Sequence, residues 1–269
     1  MNTLAVKYLK FIENIGFHAK EKCKKILLTP ENTSLFKFIF SFVKNLIFLQ
    51  FYKSQILKQA FQFSFLSLSV IFLTALCTGA VLTLQTYSGL GVFANAETMA
   101  KVVVPSIIRE LGPVLTGLMI AGRISSSIAA EVATMKTMEQ INALKILSIN
   151  PIKYLVLPRV FVALILMPIL LIIADVISIF GSYLIVTLKF NITSGIYITA
   201  LNNFFVMNDL VIGLVKSVFF GAIISIVGCF KGLQSSGNSA GVGTATTEAV
   251  VLASILVLIV NYILTFFFF

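Results

Sequence analysis

The chain has 269 residues, 58% of them apolar and 11% charged, with a formal charge of +10 and a mean hydropathy of +1.03. A soluble domain is about 45–50% apolar and about 25% charged, so a water-soluble fold of this length has no means of hiding so much apolar surface. There is room for several membrane spans of about 20 residues each and little for a separate soluble domain.

Ten of the twenty Lys and Arg residues lie between Lys7 and Lys58, where only Glu13, Glu21 and Glu31 oppose them. A basic flank ahead of the first long apolar run marks the cytoplasmic face of a membrane rather than a nucleic-acid surface. Charges interrupt residues 1–28 too often for a secretory signal, and the mixture of Lys with Glu fits an organelle transit peptide poorly. The segment is therefore expected to stay on the chain, and the membrane to be a bacterial inner membrane. Cys23, Cys77 and Cys229 are scattered and His18 stands alone, so neither a metal site nor a bound cofactor is expected.

Residues 34–55 repeat polar side chains at three- and four-residue steps, with Ser34, Lys37, Ser41, Lys44 and Asn45 forming one stripe. That pattern predicts an amphipathic helix lying in the membrane interface. Residues 59–96 carry no charge, and 61–84 form the first predicted span, ended by Ser88-Gly89-Leu90-Gly91. The second predicted span, 102–121, contains Arg109, Glu110 and Pro113. Charges return over 122–158 and predict a cytoplasmic loop. Three more apolar runs follow: 160–188 with Pro168 and Asp175, 210–230 with Lys216, and the charge-free 249–269. Five spans place the N-terminus in the cytoplasm and the C-terminus in the periplasm. The outer loops agree, since Lys101 and Lys189 are their only basic residues. Two units result: a basic tail with its interfacial helix over 1–58, and an all-α five-span domain over 59–269.

No Gly-Lys dipeptide occurs, so the phosphate-cradling loop GxxxxGK[ST] is absent and any ATP chemistry belongs to a partner. The Gly-rich stretch 237–251 follows no strand pattern and reads as a flexible turn into span five. Gly228 and Gly232 have the four-residue spacing that lets helix backbones approach closely. Residues 131–151 are rich in helix formers and end at Pro151, which predicts a helix on the inner face.

The run RELGPVLTGLMIAGRISSSIAAEVATMKTMEQINALKILSINPIKYLVLPRV over 109–160 resembles the signature of MlaE (YrbE) permeases of Mce and Mla lipid transporters. NDLVIGLVKSVFFG over 208–221 and SAGVGTATTEAVV over 239–251 resemble the same family in the same order. The resemblance implies a non-catalytic permease subunit of an ABC-type transporter, working as a homodimer with a separate cytoplasmic ATPase and a periplasmic MCE-domain protein. It further implies phospholipid in a cavity at the dimer interface and a role in outer-membrane lipid homeostasis. By motif matching, Leu84 and Tyr87 in LTLQTYS and Arg109 and Glu110 in RELGP fall near that cavity, and Glu131, Lys136 and Glu139 fall in the helix that couples to the ATPase. Lys136 stands where the family often has Arg.

Adjacent residues on a helix point about 100° apart, so Arg109 and Glu110 each need a partner from another span. Arg109 and Lys216 have matching depths if their spans start near Ala100 and Asn208, so Glu110 and Lys216 are expected to neutralise one another, leaving Arg109 for a lipid phosphate, with Gly112-Pro113 loosening the helix beside them. Intramembrane Arg109, Glu110, Asp175 and Lys216 also admit a second reading, an ion- or proton-coupled carrier.

Overall fold

A computed structural model of the chain describes residues 53–268 together with Leu35 and Phe38. The described residues form helices and contain no strand. Helix α1 is Lys53–Leu90 and α2 is Ala96–Thr137. The short α3 is Gln140–Ile146, and α4 is Ile152–Leu188. Helix α5 is Ser194–Phe204, α6 is Met207–Gln234 and α7 is Ser239–Phe268. Among the described residues, five helices are long and apolar enough to cross a membrane, as the five charge-poor runs predict. The predicted interfacial helix over 34–55 lies outside the described residues except for Leu35, Phe38 and residues 53–55, and these last three belong to α1 instead. Leu35 and Phe38 are helical, and the buried Phe38 ring lies 5.4 Å from that of Phe230.

The bundle centres on α6, which packs against α4, α2 and α7, while α1 lies along α4. Two glycine pairs bring these helices together. A Cβ on Gly79 would land on the carbonyl of Ser178, and one on Gly181 would land on the carbonyl of Leu76, so α1 and α4 touch backbone to backbone. The close approach anticipated at Gly228 and Gly232 is present: their Cβ positions meet the carbonyls of Ser125 and Ala129, each at 2.9 Å. In lipid, where association rests on packing rather than on expelling water, such contacts hold helices together.

Several boundaries differ from the sequence reading. Span two begins at Ala96 rather than at residue 102, because Asn95 and Thr98 form a reciprocal cap. The Asn95 side chain accepts from Thr98 N–H at 2.8 Å, and Thr98 Oγ1 accepts from Asn95 N–H at 3.0 Å. At its other end α2 runs on to Thr137, absorbing half of the expected loop. The helix expected over 131–151 is therefore split. Glu139 breaks it at φ 58°, α3 follows, and Ser148 at φ 59° ends it. The stretch read as a flexible turn is helical from Ser239, where Asn238 Oδ1 accepts from Gly241 N–H at 2.7 Å. Buried Ala245, Ala249, Ala253 and Val257 then recur at four-residue steps along α7. Helix α5 was not anticipated. Its buried Tyr197 packs with Met99 and Ala100 of α2, and the Tyr197 hydroxyl lies 2.6 Å from Ser182 Oγ.

The glycine contacts make a direct prediction. Gly181→Val places a branched side chain on the Leu76 carbonyl, and overpacking of this kind costs about 1–3 kcal/mol. Thermal unfolding in detergent should show a clear loss for this variant. Gly89→Val, where a Cβ meets nothing within 4 Å, should melt close to the parent.

Candidate functional site

Helix α2 is not a uniform helix. It widens into π-helical turns at Ile107–Leu111 and Ala121–Ser125, and such turns change which way neighbouring side chains face. Arg109 and Glu110 sit in the first turn. Pro113 follows, with no N–H to give to the carbonyl four residues earlier, which is that of Arg109. Lys216 of α6 fills the vacancy, its Nζ donating to the Arg109 carbonyl at 2.9 Å.

The same ammonium reaches Glu110 Oε1 at 2.7 Å and Thr265 Oγ1 at 2.9 Å. An ammonium has three donors, and here each has an acceptor. The Lys216 side chain is completely buried, so this pairing is what permits the charge at that depth. Glu110 is served in turn by α7. Asn261 Nδ2 donates to Oε2 at 3.2 Å, and the Thr265 hydroxyl lies 2.9 Å from both Oε1 and the Asn261 carbonyl, either of which its proton can reach. The expected Glu110–Lys216 pair therefore exists and ties α2, α6 and α7 at one level.

Arg109 is not left over as expected. Its Nε lies 2.8 Å from Asp209 Oδ2 in an ion pair whose angle falls short of a well-aligned hydrogen bond. Asp209 is buried, while 38% of the Arg109 side chain remains exposed. The signal for Asp209 was in the sequence: it precedes Lys216 by seven residues, two turns of one helix face, opposite the adjacent Arg109 and Glu110. Asn261 and Thr265, four apart in an otherwise apolar span, were a second signal passed over.

Asp175 does not join this set. It lies on α4 against Gly112, where a Cβ would collide with its Oδ1, and that oxygen has no hydrogen-bond partner among the described residues. Leu84 is half-buried, and Tyr87 stacks on Phe190 with ring centroids 3.6 Å apart. Among the described residues no hydrogen bond, ion pair or ring contact links either to the ionic set.

The residues expected to couple to an ATPase are also separated. Glu131 lies in α2 and pairs with the buried Arg159 of α4 at 3.0 Å, while Gln59 Nε2 donates to its oxygens at 3.4 and 3.2 Å. Lys136 donates to the Leu233 carbonyl at 3.1 Å, at the C-terminal end of α6, where a cation meets the negative end of the helix dipole. Only Glu139 is on the exposed turn, bonded to Asn142. Arg159 was missed because an arginine directly after Pro158 reads as the flank of a span, whereas it is 4% exposed.

Five apolar helices with a partly buried, internally matched ionic cluster among them define a multi-pass membrane protein with polar groups held at membrane depth. The model of the family described as Permease MlaE matches residues 56–267. Similar proteins include a probable ABC transporter permease protein of Rickettsia typhi, 44% identical over 264 residues covering 98% of this chain and 95% of that one. One of the same description from Rickettsia conorii is 46% identical over 256 residues, covering 95% and 98%, and one from Synechocystis sp. is 37% identical over 203 residues, covering 76% and 77%. The chain belongs to the MlaE permease family, and is a membrane permease of the ABC-transporter class.

Truncating one partner of a buried ion pair typically costs roughly 3–5 kcal/mol, because the other charge is stranded. Lys216→Met should therefore destabilise the folded protein strongly in detergent. The double variant Glu110→Gln/Lys216→Met should recover most of that loss, since it strands no charge.

Proposed function

We propose that the chain is the phospholipid-carrying permease of a Mla/Mce-type ABC transporter, acting as a homodimer in a bacterial inner membrane. The observation that carries the lipid reading is the half-exposed state of Arg109 and Glu110, each 38% exposed on the side of a single subunit. Charged groups at membrane depth require a protein surface or a water-filled cavity over them rather than acyl chains. A second copy enclosing a polar cavity meets that need. The Arg109 guanidinium is a planar fork of donors of the kind that suits a phosphate, and its ion pair with Asp209 fixes its direction. Lys216 and Glu110 act here as the scaffold for Arg109, and Leu84 and Tyr87 as apolar wall for the chains.

On this reading the α3 end faces the cytoplasm, as the basic residues of 1–58 and 122–158 favour, and the C-terminus faces the periplasm. A separate ATPase engages the exposed turn at Glu139 and α3, and an MCE-domain protein receives or delivers lipid at the α5 end. The ion-coupled alternative loses support from the internal pairing of Arg109, Glu110 and Lys216.

Purification with native lipid followed by mass spectrometry tests the site. Arg109→Ala should still assemble with its partners yet retain several-fold less phospholipid, whereas unchanged retention contradicts a headgroup role. Coupling is tested separately: Glu139→Lys reverses charge on the exposed turn and touches no span. Pull-down of the ATPase should weaken in this variant while membrane insertion stays intact, and undiminished association would remove Glu139 from the contact.

A further inference from the structure

Away from the ionic cluster, at the α3 end, the described residues line a half-open cavity of about 330 Å³ between the first turns of α4, the last turns of α2, the start of α1 and the inner face of α3. Its wall is mostly apolar, with Met135, Ile141, Leu144 and Leu155 among its residues. Glu131, Arg159 and Gln59 also line it. Glu131 holds the other two, with the Arg159 Nη2 contact at 3.0 Å and the Gln59 amide donating to both carboxylate oxygens. Arg159 Nη1 further donates to the Leu155 carbonyl at 2.6 Å.

This polar corner carries no net charge, yet it is incomplete. Among the described residues, Arg159 Nε, a donor, and Gln59 Oε1, an acceptor, have no hydrogen-bond partner, on side chains belonging to residues 4% and 6% exposed. Buried polar groups are rarely left so without a ligand or water to complete them. A volume of this size is in the range of small-molecule sites, which combine apolar walls with a few convergent polar groups.

We propose that this cavity binds a single-chain amphiphile with an uncharged hydroxyl head. The chain lies along Met135, Ile141 and Leu144. The hydroxyl donates to Glu131, whose side chain is 26% exposed, and Arg159 Nε–H and Gln59 Oε1, both closed off in this structure, complete its contacts after small turns of the two side chains toward the cavity. An anionic head is disfavoured: Glu131 already neutralises Arg159, so a second carboxylate would face Glu131 and the amide oxygen without a counter-charge. Helix α3 closes the cavity between two left-handed non-glycine residues, Glu139 and Ser148. An occupant beneath Ile141 and Leu144 therefore also fixes how α3 sits on the bundle. This inference does not depend on the phospholipid site near Arg109.

The test uses the full chain in phosphatidylcholine nanodiscs with two photoreactive probes, 1-dodecanol bearing a chain diazirine and the matching dodecanoic acid, at equal bilayer concentration above neutral pH. Peptide mapping should find saturable labelling by the alcohol within 135–155, exceeding that by the acid by about tenfold, a difference equivalent to roughly 1.4 kcal/mol. Leu144→Trp fills the cavity, and Leu147→Trp does so from an exposed position that puts folding at less risk. Each should reduce the labelling strongly. Labelling that does not saturate leaves water as the occupant and overturns the proposal, as does labelling that both tryptophan variants leave unchanged. Acid labelling equal to that of the alcohol overturns the neutral-head assignment.

Discussion

A fully buried ammonium governs this structure. Lys216 sits where water cannot reach it, and an uncompensated charge there is among the most costly features a membrane protein can carry. The chain meets the cost with three acceptors drawn from two helices, and each has a local cause. The Arg109 carbonyl is available because Pro113 cannot bond it. Glu110 faces α6 from the π-helical turn, and Thr265 points inward from α7. Removing any one leaves a polar group buried without a partner, so the cluster fixes the relative height and rotation of three spans at once.

Arg109 inherits its place from this arrangement. It is adjacent to Glu110, so fixing Glu110 on Lys216 turns Arg109 away, toward Asp209 at the head of α6. Asp209 and Lys216 thus hold opposite members of an adjacent pair with opposite charges, and the cluster is electrically closed while one cation stays half-exposed. Elsewhere the bundle relies on closeness. The Gly79–Ser178 and Gly181–Leu76 contacts leave no space between α1 and α4, and Gly112 admits Asp175 of α4 beside the wide turn of α2. Rigid packing on the α4 side and an ionic lock on the α7 side leave the half-exposed groups of α2 on a well-held surface.

Much of the fold was legible because hydropathy is a property of composition along the chain. The five apolar runs became five helices, and a rise of about 1.5 Å per residue set Arg109 and Lys216 at one level, from which the neighbouring Glu110 follows as the partner of Lys216. What failed were details set by side-chain bonding. The cap at Asn95 moved the start of span two, and residues 122–137 stayed helical although charged, since Glu131 and Lys136 satisfy their charges on neighbouring helices. Helix α5 was hidden in a loop too short and mixed for periodicity to register. In the site, Asp209 escaped notice because it opens a span, where charge is ordinary, and Arg159 for the same reason. Phospholipid, the partner ATPase and the MCE-domain protein were never readable from spacing; they entered through family resemblance.

The most direct test is an electron cryo-microscopy map of the permease with its ATPase in a lipid nanodisc, without nucleotide, at a resolution that separates side chains. The account predicts a two-fold dimer with lipid density between the subunits and a phosphate within about 3 Å of the Arg109 guanidinium, hydrogen-bonding distance, with Asp209 still beside it. A map in which Arg109 is sealed against the partner subunit, or in which the bound lipid headgroup lies away from Arg109, contradicts it.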